Sequence, residues 1–272
     1  MIWPFKTRTT KQIARIEIKG VINSETRKFL LEALETVKEK KFPALLLRID
    51  SPGGTVGDSQ EIYEALKKLQ KKTKIVATFG NISASGGVYI SMGAPYIMAN
   101  PGTITGSIGV ILRGNNFKEL LNKIGVSFQV VKSGPYKDIL SFDRQLSPEE
   151  EKILQEMIDI SYQQFITTIS KERNLDMDKT KSFADGRIFT GEQALKLGMV
   201  DRLGSEEDAR CWAAELVGLD PEKTKCFTIE ESKPFLNRIF SKNNNKSKFT
   251  LMNDRIEFEL KTSGQLLWLY QQ

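Results

Sequence analysis

The sequence predicts an α/β fold with a largely parallel sheet, and three observations support this prediction. Residues 44–49 (ALLLRI) and 75–79 (IVATF) are nearly continuous apolar runs, typical of strands buried on both faces. Each run is followed by a glycine-containing loop and then by residues with helical apolar spacing. Strand, loop and helix recur several times along the chain, as expected of a sheet covered by helices.

The first elements follow from apolar spacing and from helix caps. Residues 13–18 (IARIEI) alternate like a half-buried strand. Asn23 and Ser24 offer a cap to a first helix, and Pro43 separates that helix from the apolar strand at 44–49. The apolar stripe of this helix consists of Leu30, Ala33, Leu34 and Val37, and that of a second helix of Ile62, Tyr63, Leu66 and Leu69.

The middle of the chain continues the same alternation. It is predicted to hold a helix of small residues over about 86–94, strands at 96–99, 108–112 and 126–131, and a helix at 118–123. These strands are expected to belong to the same α/β arrangement.

A long helix is predicted to begin at Ser147. The serine caps the helix, Pro148 occupies its first turn and Glu150 completes a capping box. Its apolar face continues to about residue 172, so the helix extends beyond a small core. We therefore expect it to be an exposed interface helix that packs partly on another subunit.

The remaining part of the chain is predicted to contain two shorter helices. One covers 190–197 and ends at Gly198, which serves as a C-terminal glycine, and the other covers 205–217. We divide the chain into an N-terminal segment (1–12), a main domain (13–205) and a C-terminal extension (206–272). Within the extension, a basic, asparagine-containing linker at 233–248 is followed by an alternating strand at 255–260 and an apolar tail.

Composition excludes several kinds of site. None of the 272 residues is a histidine, so one type of subunit cannot build a Ser-His-Asp triad, a Cys-His dyad or a histidine-containing zinc site. The two cysteines, Cys211 and Cys226, are too few for a site made of cysteines alone. We expect no metal and no cofactor. The net charge of +6 is mild, and no basic run is interleaved with stacking aromatics, so we expect no nucleic-acid partner.

The hydropathy pattern predicts a chain that starts in the cytoplasm, without a transmembrane helix or a signal peptide. A membrane-spanning helix needs about 20 consecutive apolar residues, and no such stretch occurs. The apolar start, residues 1–5, is too short for a secretory signal. Trp3 and Phe5 precede basic residues and offer a weak peripheral membrane contact; a frayed terminus is the alternative.

Two glycine-rich loops carry the candidate chemistry, and each follows a buried strand. In open α/β sheets, functional groups gather at the carboxyl ends of strands. In the second loop, Ser85 precedes Gly86 at a helix start, where unpaired N–H groups collect. We infer that Ser85 attacks a carbonyl while the N–H of Gly53 or Gly54 and that of Gly86 stabilise the oxyanion. The alternative is that Ser85 is a helix cap and the glycines are turn residues.

A serine nucleophile needs a base, and without histidine the candidate is a lysine with a lowered pKa. The segment that follows the predicted strand 126–131 contains Lys132 and Lys137, and the residues alone do not choose between them. Asp138 would raise the pKa of an adjacent lysine, so we expect its carboxylate to point away from the base or to act in substrate binding.

Five motifs occur in order and identify a resemblance. They are SPGG (51–54), ASGGVYIS (84–91), ITGSIGV (104–110), KSGPYKDI (132–139) and ADGRIFTGEQALKLGMVD (184–201). Together they resemble the signal peptide peptidase A family, over roughly residues 13–205. The resemblance implies a ClpP/crotonase-like fold built from repeated strand-strand-helix units. It also implies a serine peptidase with Ser85 as nucleophile, Lys137 as base and oxyanion donors at Gly53 and Gly86.

The resemblance carries further expectations about assembly and substrate. Members form homo-oligomeric rings, with octamers known, and in compact members the serine and lysine of one site come from neighbouring subunits. This chain looks like that short, single-repeat form without a membrane anchor. Its substrates would be signal-peptide remnants or other short or unfolded peptides, cleaved through an acyl-enzyme.

From the sequence alone, two alternative functions and the role of the tail stay undecided. A crotonase-like acyl-CoA enzyme would also hold a carbonyl with paired N–H groups, and a ring that only binds partners would keep the fold. The presence of Ser85 with Lys137 favours the peptidase.

The apolar tail, residues 266–270, resembles a peptide substrate and would fold back into the groove and be trimmed. Alternatively, it packs on the body of the protein.

Overall fold

The computed structural model describes residues 11–231 and 264–270. Several predicted features lie outside these residues: the contact by Trp3 and Phe5, the basic linker at 233–248 and the strand at 255–260.

The described residues form eleven strands and eight helices. The strands are β1 (Ile13–Lys19), β2 (Ala44–Ser51), β3 (Gly53–Thr55), β4 (Lys74–Ala84), β5 (Tyr96–Ala99), β6 (Ile104–Gly106), β7 (Ile111–Leu112), β8 (Ile188–Thr190), β9 (Arg202–Leu203), β10 (Cys226–Thr228) and β11 (Leu266–Leu269). The helices are α1 (Ser24–Glu39), α2 (Val56–Leu69), α3 (Gly86–Ser91), α4 (Lys118–Lys123), α5 (Pro148–Arg173), α6 (Met177–Phe183), α7 (Gly191–Leu197) and α8 (Glu206–Glu215).

The chain divides into two compact units, and the first contains an eight-stranded sheet. Six strands follow the order β10-β1-β2-β4-β5-β9, and all of these neighbours are parallel. Strand β6 pairs parallel with the end of β4 and antiparallel with β8. The predicted α/β class with a largely parallel sheet is confirmed.

The sheet is buried on both faces because its central strands are apolar at successive positions. Leu45, Leu46 and Leu47 are at most 1% exposed although their side chains alternate between the two faces. On one face, Leu46 belongs to a core cluster with Trp212 of α8. Elsewhere in the first unit, α1 packs on β1 and α2, and α3 packs on β2 and β4.

Strand register brings the two glycine-rich loops to one edge of this sheet. Strand β2 pairs with β4 in parallel up to Ile49 and Phe79, and after a register shift Ser51 pairs with Ser83. Because both strands run in the same direction, the loops that follow them emerge side by side. The carboxyl end of the sheet is therefore the place where Gly53 and Ser85 are positioned.

The second unit contains residues 110–163 and, near the end of the chain, residues up to 267. Within it, Leu266 and Leu267 pair antiparallel with Leu112 and Ile111. The strand predicted at 108–112 is thus shorter than expected. The strand predicted at 126–131 is wrong: these residues are exposed and form no ladder with any described strand, and an apolar run needs such a partner to become a strand.

The long helix predicted from Ser147 is confirmed as α5, with 26 residues. Its capping box forms as expected. The N–H of Glu150 donates to Ser147 Oγ at 3.2 Å, and the N–H of Ser147 donates to a carboxylate oxygen of Glu150 at 2.9 Å. Gly198 likewise ends α7 in the left-handed conformation, with φ +85°.

Candidate active site

Ser85 lies at a sharp turn between β4 and α3. Its N–H donates to the carbonyl of Gly106 at 2.8 Å, and its carbonyl accepts from the N–H of Tyr89 at 3.0 Å. These bonds hold the residue at φ +51° and ψ −113°, which a serine rarely adopts. Such backbone strain costs about 1–3 kcal/mol, persists only where the surroundings enforce it and clusters at functional sites.

The Ser85 hydroxyl is buried and has no hydrogen-bond partner among the described residues. The residue is 1% exposed, and Oγ makes no capping bond to α3. The structure therefore does not support the interpretation that the Ser85 side chain caps α3. A buried hydroxyl left without a partner costs about 1–3 kcal/mol, so it calls for an explanation, and a reactive role is one.

Gly53 has no room for a side chain, and Gly86 has little. A Cβ atom on Gly53 would be 2.8 Å from the Gly86 nitrogen, and one on Gly86 would be 3.1 Å from the Gly54 nitrogen. Gly53 also has φ +105°, a conformation that favours glycine. Gly54 is a glycine for a different reason, because its Cβ would be 1.9 Å from the carbonyl oxygen of Ile22.

The backbone N–H groups of this pair are not equivalent. The N–H of Gly53 donates to Ser51 Oγ at 3.1 Å and is therefore occupied. Gly86 is the first residue of α3, so its N–H has no partner within the helix. Gly86 is thus better suited than Gly53 to donate to an oxyanion.

The end of the chain lies against these glycines. Strand β11 is hydrogen-bonded to β3, and the N–H of Tyr270 donates to the carbonyl of Pro52 at 2.7 Å. The carbonyl oxygen of Trp268 is 2.0 Å from the place of a Cβ on Gly53 and 3.1 Å from that on Gly86. The tail therefore packs against the glycine-rich loops, which agrees with a fold-back into the groove and equally with packing on the body of the protein. Its trimming stays a prediction. The place of a Cβ on Gly86 is 3.1 Å from both the Gly54 nitrogen and the Trp268 carbonyl oxygen.

The two candidate bases, both in the second unit, differ in their contacts. Lys132 donates from Nζ to Asp138 at 2.6 Å and to the carbonyl of Pro135 at 2.9 Å. Lys137 is exposed, and within the described residues its ammonium forms no ion pair. Since the side chain of Lys132 is already engaged, the geometry favours Lys137.

The carboxylate of Asp138 pairs with Lys132 and Arg144, and within the described residues it forms no ion pair with the neighbouring Lys137. Arg144 and Lys132 both donate to it, with Arg144 Nη2 at 2.8 Å, and these hydrogen bonds hold the pKa of Asp138 well below its usual range. Arg144 also donates to Glu150 at 2.7 Å and so connects the loop of Lys137 to the start of α5. Sequence reasoning missed Arg144, because no local signal separates it from other surface arginines.

The structure offers no sign of a metal centre or of a membrane-spanning helix in residues 11–231 and 264–270. No group of three or more acidic or cysteine side chains there is arranged to hold a metal ion. None of the helices in this part of the chain has both the length and the hydropathy needed to cross a bilayer.

Comparisons with known proteins agree with this fold. Residues 67–220 match the model of peptidase family S49, and residues 7–102 match that of Clp protease. A "putative protease slr0021" of Synechocystis is 65% identical over the full length of both chains. A "putative signal peptide peptidase SppA" of Enterococcus faecium is 39% identical over 74% of this chain and 62% of its own.

Two solved structures share the fold at low sequence identity. A mutant of the 1510-N membrane-bound stomatin-specific protease superposes with a TM-score of 0.56 at 18% identity, over 81% of this chain and 98% of its own. A mutant of ClpP1 from Listeria monocytogenes gives a TM-score of 0.52 at 16% identity, over 72% and 94% of the two chains. These similarities support the predicted ClpP-like architecture.

Proposed function

Because this chain belongs to peptidase family S49 and is a serine protease of the signal peptide peptidase A type, we propose that Ser85 is its nucleophile and Lys137 its general base. One observation carries the assignment of the nucleophile. Ser85 presents a buried hydroxyl without a described partner, directly before the glycine against which the carbonyl of Trp268 rests. A serine and a carbonyl brought together in this way are the two reactants of acyl transfer.

The first half of the reaction forms an acyl-enzyme. Neutral Lys137 takes the proton of Ser85 while Oγ bonds to the substrate carbonyl carbon. The resulting oxyanion accepts hydrogen bonds from the N–H groups of Gly54 and Gly86, and the side-chain-free Gly53 leaves room for the substrate backbone. The protonated lysine then donates its proton to the departing amine, and the peptide bond breaks.

The second half releases the product. Water, deprotonated by the same Lys137, attacks the ester carbonyl, and Ser85 recovers its proton as the carboxylic acid product leaves. Each oxyanion donor contributes about 100- to 1000-fold to such a rate. All groups used here belong to the chain, and the proposed cycle takes up one water molecule for each bond cleaved.

Assembly into a homo-oligomeric ring would complete the site. A general base of this kind acts in a site that excludes water, whereas Lys137 is exposed in the single chain. Twelve of the fourteen large hydrophobic side chains that are exposed among the described residues lie between Phe117 and Ile160, around Lys137 and along α5. Apolar surface of this extent supports a subunit interface, so that the serine and lysine of one site come from neighbouring subunits.

The substrates that fit this site are short or unfolded peptides, including signal-peptide remnants. An extended segment lies against Gly53 and Gly86 as a strand, so a substrate needs a free backbone there. Membership of the peptidase family removes both alternatives, the acyl-CoA enzyme and the non-catalytic scaffold.

The test is hydrolysis of a short apolar fluorogenic peptide by four chains. Wild type and Lys132→Ala are expected to be active, while Ser85→Ala and Lys137→Ala lose at least about 1000-fold in kcat/KM. Equal activity of Lys137→Ala and wild type would show that Lys137 is not the general base.

Mixing the two inactive variants tests whether the dyad spans subunits. If Ser85→Ala and Lys137→Ala subunits exchange into one ring, some interfaces hold an intact serine and an intact lysine, and activity returns. Activity that stays absent after exchange, verified by mass spectrometry of mixed rings, would place both residues in the same subunit.

A further inference from the structure

Strand β4 has an irregularity in its pairing with β2 just before it reaches Ser85. Between the last regular pair of the ladder and the pair of Ser51 with Ser83, three residues of β4 (80–82) lie opposite Asp50 alone. In a regular parallel pair, both strands advance by the same number of residues. The additional residues of β4 form a β-bulge, a feature that bends a strand and re-aims side chains next to active sites.

The bulge also divides the other edge of β4 between two neighbours. Before it, β4 pairs with β5 as far as Thr78, and after it, β4 pairs with β6 from Ile82 onward. The segment that leads to Ser85 is therefore held by a different part of the sheet from the first half of β4. It follows that the position of Ser85 relative to β2 depends on the size and shape of this bulge.

Side chains supply hydrogen bonds to backbone groups that the bulge removes from the ladder. The N–H of Ile82 donates to Asp50 Oδ1 at 3.1 Å. The hydroxyl of Thr103, a buried residue, donates to the carbonyl of Gly80 at 2.7 Å. Because a buried backbone group without a partner is costly, these two bonds stabilise one shape of the bulge.

Asp50 and Gly80 fit closely against each other. A Cβ atom on Gly80 would lie 2.5 Å from Asp50 Cγ and 2.7 Å from its Oδ2. The carboxylate therefore occupies the space that a side chain at position 80 would need. The backbone of Asp50 is held as well, since its carbonyl accepts the N–H of Gly20 at 2.9 Å. Asp50 thus connects the end of β2 to the bulge in β4.

The bulge determines how the two glycine-rich loops meet. Ser51 follows Asp50 directly, and its hydroxyl accepts the N–H of Gly53. Ser83 pairs with Ser51, and Ser85 lies two residues further on. A bulge with one residue more or fewer would move Ser85 along β2 by about 3.3 Å. The alignment of the proposed nucleophile with the glycines of the first loop therefore requires this bulge.

We propose that Asp50 is a positioning residue for the reaction: by accepting the Ile82 N–H and packing on Gly80, it holds the bulge in the shape that places Ser85 beside the loop after β2. The inference rests on the proposed function, in which Ser85 is the nucleophile. The property that Asp50 supplies is an oxygen acceptor of the right size, which an asparagine side chain also supplies.

The first experiment removes this acceptor or keeps it. Asp50→Ala leaves the Ile82 N–H without its partner, whereas Asp50→Asn retains an oxygen there. Because a displacement of about 1 Å in a catalytic group costs up to about 100-fold, Asp50→Ala lowers kcat for an apolar fluorogenic peptide roughly 10- to 100-fold. KM stays within about twofold, since substrate contacts are unchanged. Asp50→Asn keeps kcat within about threefold of wild type because its amide oxygen accepts the same bond.

Asp201→Ala is the matched control, since Asp201 Oδ2 also accepts the N–H of a strand residue, Ile97 of β5, at 2.7 Å. It also loses the ion pair with Arg173, so its thermal stability falls at least as far as that of Asp50→Ala. Its kcat is expected to stay within about twofold of wild type. Equal losses of kcat in the two alanine variants, or an Asp50→Asn as slow as Asp50→Ala, would overturn the proposed role.

The second experiment, hydrogen exchange followed by mass spectrometry, separates this inference from the catalytic assignment. In Asp50→Ala, amides in peptides covering 79–89 exchange at least about tenfold faster than in wild type, while those of β5 do not change. Asp201→Ala gives the reverse pattern. This result supports the positioning role even if no chain hydrolyses peptides, which would overturn the proposed function alone. Equal exchange of 79–89 in wild type and Asp50→Ala overturns the inference, whatever the hydrolysis assay gives.

Discussion

The carbonyl oxygen of Trp268 lies 2.0 Å from the position that a Cβ atom would occupy on Gly53. A methyl group there would push out any backbone that approaches the site, whether it belongs to the tail or to a substrate. We therefore expect Gly53→Ala to lower kcat/KM by about 100-fold or more, as the loss of transition-state contacts does. The strain of alanine at φ +105° adds about 1–3 kcal/mol of destabilisation, visible in thermal melts.

Gly57→Ala is the control for that substitution. Gly57 is exposed in the first turn of α2, and a Cβ there would meet no atom within 4 Å. Alanine is expected to raise helix stability by up to about 1 kcal/mol and to leave kcat/KM unchanged. If both variants lost activity equally, the close approach at Gly53 would not be the cause.

The position of the tail also predicts where the protein would cleave its own chain. The Trp268 carbonyl lies at the proposed oxyanion site, so the bond between Trp268 and Leu269 is the one expected to be cleaved. Intact mass after incubation should show loss of residues 269–272 from wild type and a full-length chain for Ser85→Ala. Full-length masses for both would refute trimming.

Arg144 is expected to position the loop that carries Lys137. It donates to both Asp138 and Glu150, and its removal leaves Asp138, next to the proposed base, paired with Lys132 alone. Since a displacement of about 1 Å in a catalytic group costs up to about 100-fold, Arg144→Ala should lower kcat by roughly tenfold or more. The pH profile is the additional readout, because loss of the Arg144 cation leaves more negative charge beside the proposed site and moves the rise in activity to higher pH.

Lys123→Ala provides the comparison for Arg144, as an exposed cation in α4 of the same unit. It should change neither kcat nor the pH profile. A drop in kcat for Arg144→Ala without any shift of the profile would indicate a purely structural role.

Glu150 makes folding stability depend on pH in the acid range. Hydrogen bonds from Arg144 and from the Ser147 N–H lower the pKa of this carboxyl from an ordinary value of 4.5 to about 2. A group whose pKa is depressed by folding stabilises the protein above its unfolded pKa. Its contribution is therefore complete above pH 4.5 and is lost as pH falls towards 2.

Denaturant unfolding of Glu150→Gln and of Glu149→Gln at several pH values tests that dependence. Glu149 is exposed on the same first turn of α5 and serves as the control. We expect Glu150→Gln to lower the free energy of unfolding at pH 6 and to reduce its loss between pH 4.5 and pH 2. Parallel curves for the two variants would contradict the ion pair with Arg144.

Much of the fold could be predicted because its signals are local. The caps at Asn23 and Ser147, the glycine at Gly198 and the apolar runs of β2 and β4 act on neighbouring residues, and these elements form as predicted. The strand at 126–131 failed for the opposite reason, since a strand depends on a distant partner that its own residues do not specify.

The sequence by itself determined the kind of chemistry. The absence of histidine excluded the common triads, and five motifs in order identified the family and the candidates Ser85 and Lys137. Only the tertiary structure decided that the Gly53 N–H is occupied by Ser51, that Lys132 is engaged by Asp138 and that Trp268 lies against the glycine loops. The first two contacts join residues only two and six positions apart, but they depend on the direction that each side chain takes. The third joins residues more than 200 positions apart through strand pairing. Neither a side-chain direction nor a distant strand partner leaves a signal in a local pattern.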